Sequence, residues 1–156
     1  MSIEDDILFI ERVPTLRMLG RDALRILAIG AESRYVHKGE VLFLAGETAD
    51  CGYVIQEGSF RLESTVKTLG EVIAGPGTLL GELALIAETK RPATATAHEP
   101  STVIRISRNL FLKMLEGYPN AAHILREQIV GRAQQALAEM SDVRAMLDAS
   151  QTPPSQ

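Results

Sequence analysis

From Ser33 to Ser107 the apolar residues come in short runs of Val, Ile, Leu, Phe and Tyr, and turn residues divide the runs. The turns stand at Lys38-Gly39, Gly46-Glu47, Glu57-Gly58, Gly70-Glu71, Gly75-Pro76-Gly77 and Glu99-Pro100. Several short strands with glycine punctuation indicate an antiparallel roll or barrel. On both sides of this stretch the period is helical. Ile7, Leu8 and Ile10 in residues 4–12, and Leu24, Leu27 and Ala28 in residues 21–30, recur at helical intervals, with Pro14 and Gly20 as punctuation. After Ser107, residues 108–116 read as a short helix stopped by Gly117 and Pro119. A long helix then begins near Asn120 and runs to about Ala149. The expected class is α+β: helices over residues 1–32, a roll over 33–107 and helices over 108–149. The tail 150–156 has no apolar anchor and is expected to be disordered.

A chain of 156 residues fits one domain with a single core. Hydrophobic content of 46% with 23% charged residues suits a soluble globular protein. No apolar run approaches membrane-spanning length. The acidic start Met1-Ser2-Ile3-Glu4-Asp5-Asp6 is neither a secretory signal nor a transit peptide. A single cysteine, Cys51, excludes an internal disulfide, fits a reducing cytosol and suggests a cytoplasmic protein. Net charge is −4 without a basic run, which argues against direct DNA binding. His37, His98 and His123 are too dispersed for metal-ligand spacing and read as surface or strand-end histidines.

The long helix has a pattern of its own. Ile129, Ala133, Ala136, Met140, Val143 and Leu147 alternate spacings of four and three, as in a seam shared by two helices. A second apolar line, Leu125, Val130 and Leu137, suits packing on the roll. About 30 residues of helix span roughly 45 Å, more than a small roll covers. The expected assembly is a homodimer through residues 125–147; a single amphipathic helix packed on its own domain is the alternative.

Residues 80–95 carry the chemistry. Gly81 supplies a tight turn, and a short helix-like run, 82–86, follows. The carboxylate of Glu82 and the guanidinium of Arg91 stand nine positions apart. A helix start attracts phosphate, and Arg adds a planar, permanently charged fork. A carboxylate repels phosphate, so Glu82 is better used on a sugar hydroxyl. Phosphate and hydroxyl gripped within one loop suggest a nucleotide.

Gly81-Glu82-Leu83-Ala84-Leu85 and Arg91-Pro92-Ala93-Thr94 closely resemble the phosphate-binding cassette of cyclic-nucleotide-binding domains, as in protein kinase A regulatory subunits, cyclic-nucleotide-gated channels and the catabolite activator family. The segments Gly39-Glu40-Val41-Leu42-Phe43, Gly46-Glu47-Thr48-Ala49-Asp50 and Tyr53-Val54-Ile55-Gln56-Glu57-Gly58 have the spacing of that family's β-roll, and Val103-Ile104-Arg105-Ile106-Ser107 looks like its closing strand. The resemblance covers roughly residues 5–148 and implies a jelly-roll-like, double-stranded β-helix. It assigns Arg91 to the exocyclic oxygens of a cyclic phosphate and Glu82 to the ribose 2′-hydroxyl. Gly81 and Ala84 are expected to offer close backbone approach and N–H donors. Leu83, counted with the site, and Leu85 mainly lock the cassette to the roll. Leu80, Val72 and Ile73 are candidates for the apolar wall beside the base, or for plain core. Pro92, Ala93 and Thr94 complete the cassette. Arg132 matches an arginine that, in the catabolite activator family, reaches back to the cassette glutamate; a solvated helix arginine is the alternative.

Three departures qualify the resemblance. Relatives that prefer cyclic GMP tend to place a threonine hydroxyl where this chain has Pro92. Pro92 has neither hydroxyl nor N–H, which favours cyclic AMP over cyclic GMP as ligand and removes one possible phosphate donor. Ala136-Leu137 stand where the catabolite activator has hydroxyl residues, leaving the base to Gln128, Gln135 or Arg132, or to no such contact. The Glu82-to-Arg91 spacing is one shorter than in that activator and matches the kinase and channel versions.

The expected function is a cyclic-AMP-binding sensor domain, without catalysis or a metal, that moves its C-terminal helix for an unknown downstream protein. No nucleophile–base pair or Walker-type loop is present in the sequence. A metal enzyme of the double-stranded β-helix class needs clustered histidines, which are lacking. Other readings are a degenerate domain kept for interaction or dimerisation, and a sensor of another anion such as a cyclic dinucleotide. With Pro153-Pro154-Ser155-Gln156 following the long helix there is no room for a helix-turn-helix. The expectation is a free-standing module; in an excised fragment these prolines would begin a linker.

Overall fold

The computed structural model describes residues 3–64, 71–128 and 131. Three helices open the chain: α1 (Ile3–Glu11), α2 (Pro14–Arg17) and α3 (Arg21–Gly30). The one-turn α2 lies where the sequence suggested only a break. Proline lacks an N–H that the first helical position would leave unpaired in any case, so Pro14 starts a turn instead of ending one.

Among the described residues ten strands follow: β1 (Glu32–Val36), β2 (Val41–Phe43), β3 (Thr48–Ala49), β4 (Cys51–Glu57), β5 (Phe60–Ser64), β6 (Glu71–Ala74), β7 (Leu79–Leu80), β8 (Thr89–Lys90), β9 (Ala93–Ala97) and β10 (Ser101–Ser107). All pairings are antiparallel. One sheet runs β1-β10-β4-β7 and the other β2-β9-β5-β6, while β3 and β8 form a separate two-stranded ribbon. The fold is the α+β roll with flanking helices that the punctuation implied. Between β7 and β8 the backbone makes a single 3-10 turn, Leu83–Leu85, shorter than the helical run expected over 82–86. After β10 come α4 (Arg108–Gly117) and α5 (119–128). Ser107 caps α4 by accepting a hydrogen bond from the Leu110 amide at 3.1 Å.

Strand alternation makes two cores from β4. Cys51, Tyr53 and Ile55 face the roll interior with Phe43, Phe60, Leu80 and Val103. Val54 faces the other way, joining Ile104 and Ile106 of β10 against Ile7, Leu16, Leu24, Phe111 and Met114 of the helices. Leu125 of α5 is buried in the same cluster, so this point of the second apolar line does pack on the domain. The seam positions Ile129, Ala133, Ala136, Met140, Val143 and Leu147 lie outside the described residues, as do Val130, Leu137 and the tail. No helix among the described residues is long and apolar enough to cross a membrane.

Candidate functional site

Arg91 follows β8 and enters the roll under tight backbone control. Its N–H donates to the Glu47 carbonyl and its carbonyl accepts from the Gly46 N–H, both at 2.8 Å. The side chain is only 6% exposed. Nη2 donates to the Cys51 carbonyl at 2.8 Å and lies 3.4 Å from the Cys51 Sγ. The guanidinium carbon stands 4.3 Å from the centre of the Phe43 ring and 5.6 Å from that of Tyr53. Burial, with Cys51 beside it, pushes the Tyr53 phenol above its usual pKa, so it stays neutral there. Nη1 has no hydrogen-bond partner among the described residues.

A buried, permanent charge is costly unless paired and hydrogen-bonded. Aromatic faces and one carbonyl compensate it in part. The unsatisfied Nη1 adds an unused donor, and no ion pair to Arg91 occurs among the described residues. Gly81 packs directly against that nitrogen. Its φ is +87°, where side chains are strained, and a Cβ there would collide with Arg91 Nη1 and press the Cys51 carbonyl. Glycine is required both for the turn and to leave Nη1 open.

Around Arg91 lies a cavity of about 370 Å³, within the range of small-molecule sites. Leu80, Gly81, Glu82, Leu83, Ala84, Arg91, Pro92 and Ala93 all line it. Folding therefore brings most of the sequence-derived candidates to one place. Two of their expected roles change. Ala84 N–H is consumed by the 3-10 turn, donating to the Gly81 carbonyl at 3.1 Å, so it is not an outward donor. Leu83 is 56% exposed at the cavity and locks nothing, whereas Leu85 is buried and anchors the cassette to the helical core.

Other candidates stand apart. Val72 is 56% exposed and does not line the cavity; Leu62, its cross-strand partner on β5, does. Ile73 is exposed too. The Thr94 hydroxyl accepts from the Ala45 N–H at 3.0 Å, fixing the turn before β3. Arg132 lies outside the described residues. Sequence reading missed Phe43, Cys51 and Tyr53 as the bed of the guanidinium. The alternation of β4 was the available signal, since Cys51 and Tyr53 share its inward face. It also missed Thr15, whose hydroxyl donates to Glu82 Oε1 at 3.2 Å from 67 positions away; no local pattern announces that contact. No group of three or more potential metal ligands occurs among the described residues.

Comparison with known proteins agrees with this geometry. The cyclic nucleotide-binding domain family matches residues 33–118. A solved cyclic nucleotide-binding-like protein from Brucella abortus is 41% identical, with a TM-score of 0.64 over 72% of this chain and 98% of that one. The cyclic AMP receptor protein of Thermus thermophilus is 29% identical over 114 residues, 70% of this chain. An uncharacterized NTE family protein of Mycobacterium tuberculosis is 35% identical over 112 residues, also 70% of this chain. The chain spans 52% of the Thermus receptor and 19% of the mycobacterial protein.

Proposed function

This chain belongs to the cyclic nucleotide-binding domain family, and we propose that it is a regulatory sensor whose ligand is cyclic AMP. The observation that carries the reading is the unsatisfied Nη1 of buried Arg91, open to the cavity beside Gly81. A cyclic phosphate would supply the missing anion and accept from the guanidinium fork. Glu82 would accept from the ribose 2′-hydroxyl, separating ribose from deoxyribose. The apolar walls, Leu62, Leu80 and Leu83, would flank the sugar and base. Pro92 at the rim offers no hydroxyl for a guanine amino group, which favours cyclic AMP over cyclic GMP. The similarity to the Thermus receptor supports the same choice.

The output runs through the C-terminal helices. Arg108, the first residue of α4, donates from Nε to the Ala84 carbonyl at 3.0 Å and from Nη2 to the Ala49 carbonyl. Both alanines line the cavity, so a ligand that shifts either wall also shifts α4. Such a shift needs a ligand that binds one helix pose better than the other. We assign the domain no catalysis. It would act in the cytoplasm, as a homodimer through residues 125–147, on a downstream protein yet to be identified. Polar substitution of Met140 or Val143 should move a dimer toward monomer in sedimentation.

Calorimetric titration of the wild type and Arg91→Ala with cyclic AMP and cyclic GMP tests the reading. Cyclic AMP binding that is lost in the variant supports it. A wild type that binds neither nucleotide favours the second reading, a degenerate fold kept for protein interaction or for another anion. The missing N–H at Pro92 is the observation on that side.

A further inference from the structure

The cavity offers an anion few donors besides the guanidinium. Among the described residues that line it, only Thr89, Lys90 and Arg91 carry side chains that donate hydrogen bonds. Three backbone positions beside the fork are closed to a ligand. The Ala84 N–H donates to the Gly81 carbonyl, the Arg91 N–H donates to the Glu47 carbonyl, and Pro92 has no N–H. Each exocyclic oxygen of a cyclic phosphate can accept more than one hydrogen bond, so the fork alone leaves acceptor positions open.

Strand register decides which of the other two side chains faces inward. β8 pairs with β3, with Thr89 opposite Ala49 and Lys90 opposite Thr48. Opposed residues in antiparallel strands share a face, and neighbours along a strand alternate. Ala49 is 1% exposed and lines the cavity, whereas Thr48 and Lys90 are both exposed. Thr89 therefore faces the cavity with Ala49, and Lys90 faces away from it. The backbone hydrogen bonds of Arg91 to Glu47 and Gly46 carry the ladder one residue beyond β8, so Arg91 returns to the Thr89 face. β8 also lies against the 3-10 turn Leu83–Leu85, which sets Thr89 beside the cassette.

Thr89 is half-buried, and no hydrogen bond of its hydroxyl occurs among the described residues. Valine would suit the strand as well as threonine does, so strand propensity does not require that hydroxyl. A hydroxyl can turn to meet an acceptor that enters the cavity.

We propose that Thr89 is a ligand-binding residue whose hydroxyl donates to an exocyclic oxygen of the phosphate held by Arg91, in place of the donor that Pro92 lacks. This rests on the reading of the cavity as a cyclic-nucleotide site.

The test pairs a change in the protein with a change in the ligand. Wild type and Thr89→Val are titrated with cyclic AMP and with its two phosphorothioate diastereomers, in each of which sulfur replaces a different exocyclic oxygen. Valine keeps the branched shape and removes the hydroxyl, while sulfur keeps the anion and accepts hydrogen bonds weakly. Thr89→Val should weaken cyclic AMP about tenfold, the scale of a hydrogen bond to a charged group. The loss should persist for one diastereomer and shrink to under about twofold for the other, whose sulfur stands where Thr89 donates. A loss from packing would be the same for all three ligands, and that result overturns the proposal. So does unchanged affinity for cyclic AMP. Thr89→Ser restores a hydroxyl and should recover most of the affinity; a serine variant as weak as Thr89→Val is a further refutation. Thr89→Ala removes the hydroxyl without adding a methyl group, and it carries the same comparison if Thr89→Val does not fold.

A wild type that binds none of the three ligands overturns the cyclic-nucleotide reading and this proposal together. A wild type that binds them, with losses that ignore the position of the sulfur, overturns the proposal alone.

Discussion

The roll has a buried polar cluster at each end of the β4–β10 pair, and the two are finished differently. At the Glu57–Thr102 end, Ser59 N–H donates to Ser101 Oγ at 3.1 Å, and Ser59 Oγ donates to Glu99 Oε2 at 2.7 Å. The Ser101 hydroxyl faces the Ser59 and Glu99 carbonyls at 3.2 and 2.7 Å, and the His98 N–H donates to the Ser59 carbonyl at 2.9 Å. At the Cys51–Ser107 end, Arg91 keeps a full charge with Nη1 unsatisfied. One cluster closes a corner of the fold. The other leaves part of its hydrogen bonding unused among the described residues, as the proposed anion site requires. Polar burial alone therefore does not single out a site; the proposed function rests on incomplete satisfaction beside a cavity.

Substitutions should separate the two ends. The largest effect belongs to Arg91→Met, which keeps the apolar stem and removes the charge. Nucleotide affinity should fall by about 3 kcal/mol in calorimetry, the scale of a lost charged hydrogen bond. Stability to urea should hold or rise, because a buried charge that is only partly compensated disappears. A variant that unfolds instead would mean that Arg91 is structural, like the serine corner.

Next in size is Gly81→Ala, which forces a side chain into left-handed backbone against Arg91. It should cost about 2 kcal/mol of stability and weaken binding as well, joining the two properties at one residue. Ser101→Ala should cost about 1–2 kcal/mol in urea unfolding, because it strands the buried Ser59 N–H. Its nucleotide affinity should match the wild type. A change in affinity there would erase the distinction between the ends.

The smallest effect should come from Asp6, outside both clusters. Burial raises its carboxyl pKa, partly offset by the hydrogen bond from Gln56. The folded state therefore holds this proton more tightly than the unfolded one. The associated stability is present below the unfolded value and is lost as pH rises through the raised folded value. Asp6→Asn should flatten that part of the stability–pH curve.

Much of the fold was legible because its signals are local. Glycine turns cut the apolar runs into strands, and 3.6-residue spacing marked α1 and α3. The cassette was legible for the same reason, since Gly81, Glu82 and Arg91 belong to one short segment. Pro14 misled because proline both ends helices and begins them, and only the packing of Leu16 into the helical core decides which. Leu83 and Leu85 look alike in sequence. The 3-10 turn sends Leu85 inward and leaves Leu83 at the cavity.

The sequence by itself determined the class of the fold, the segment that lines the cavity and the guanidinium in it that cannot lose its charge. Those follow from backbone propensity, side-chain period and intrinsic ionisation, all properties of neighbours along the chain. Only the tertiary structure decided what surrounds that charge. Phe43 and Cys51 reach Arg91 from other strands, Thr15 reaches Glu82 from 67 positions away, and Nη1 is left without a hydrogen-bond partner among the described residues. Whether a buried donor is satisfied depends on every element packed around it, and that sum exists only once the chain has closed.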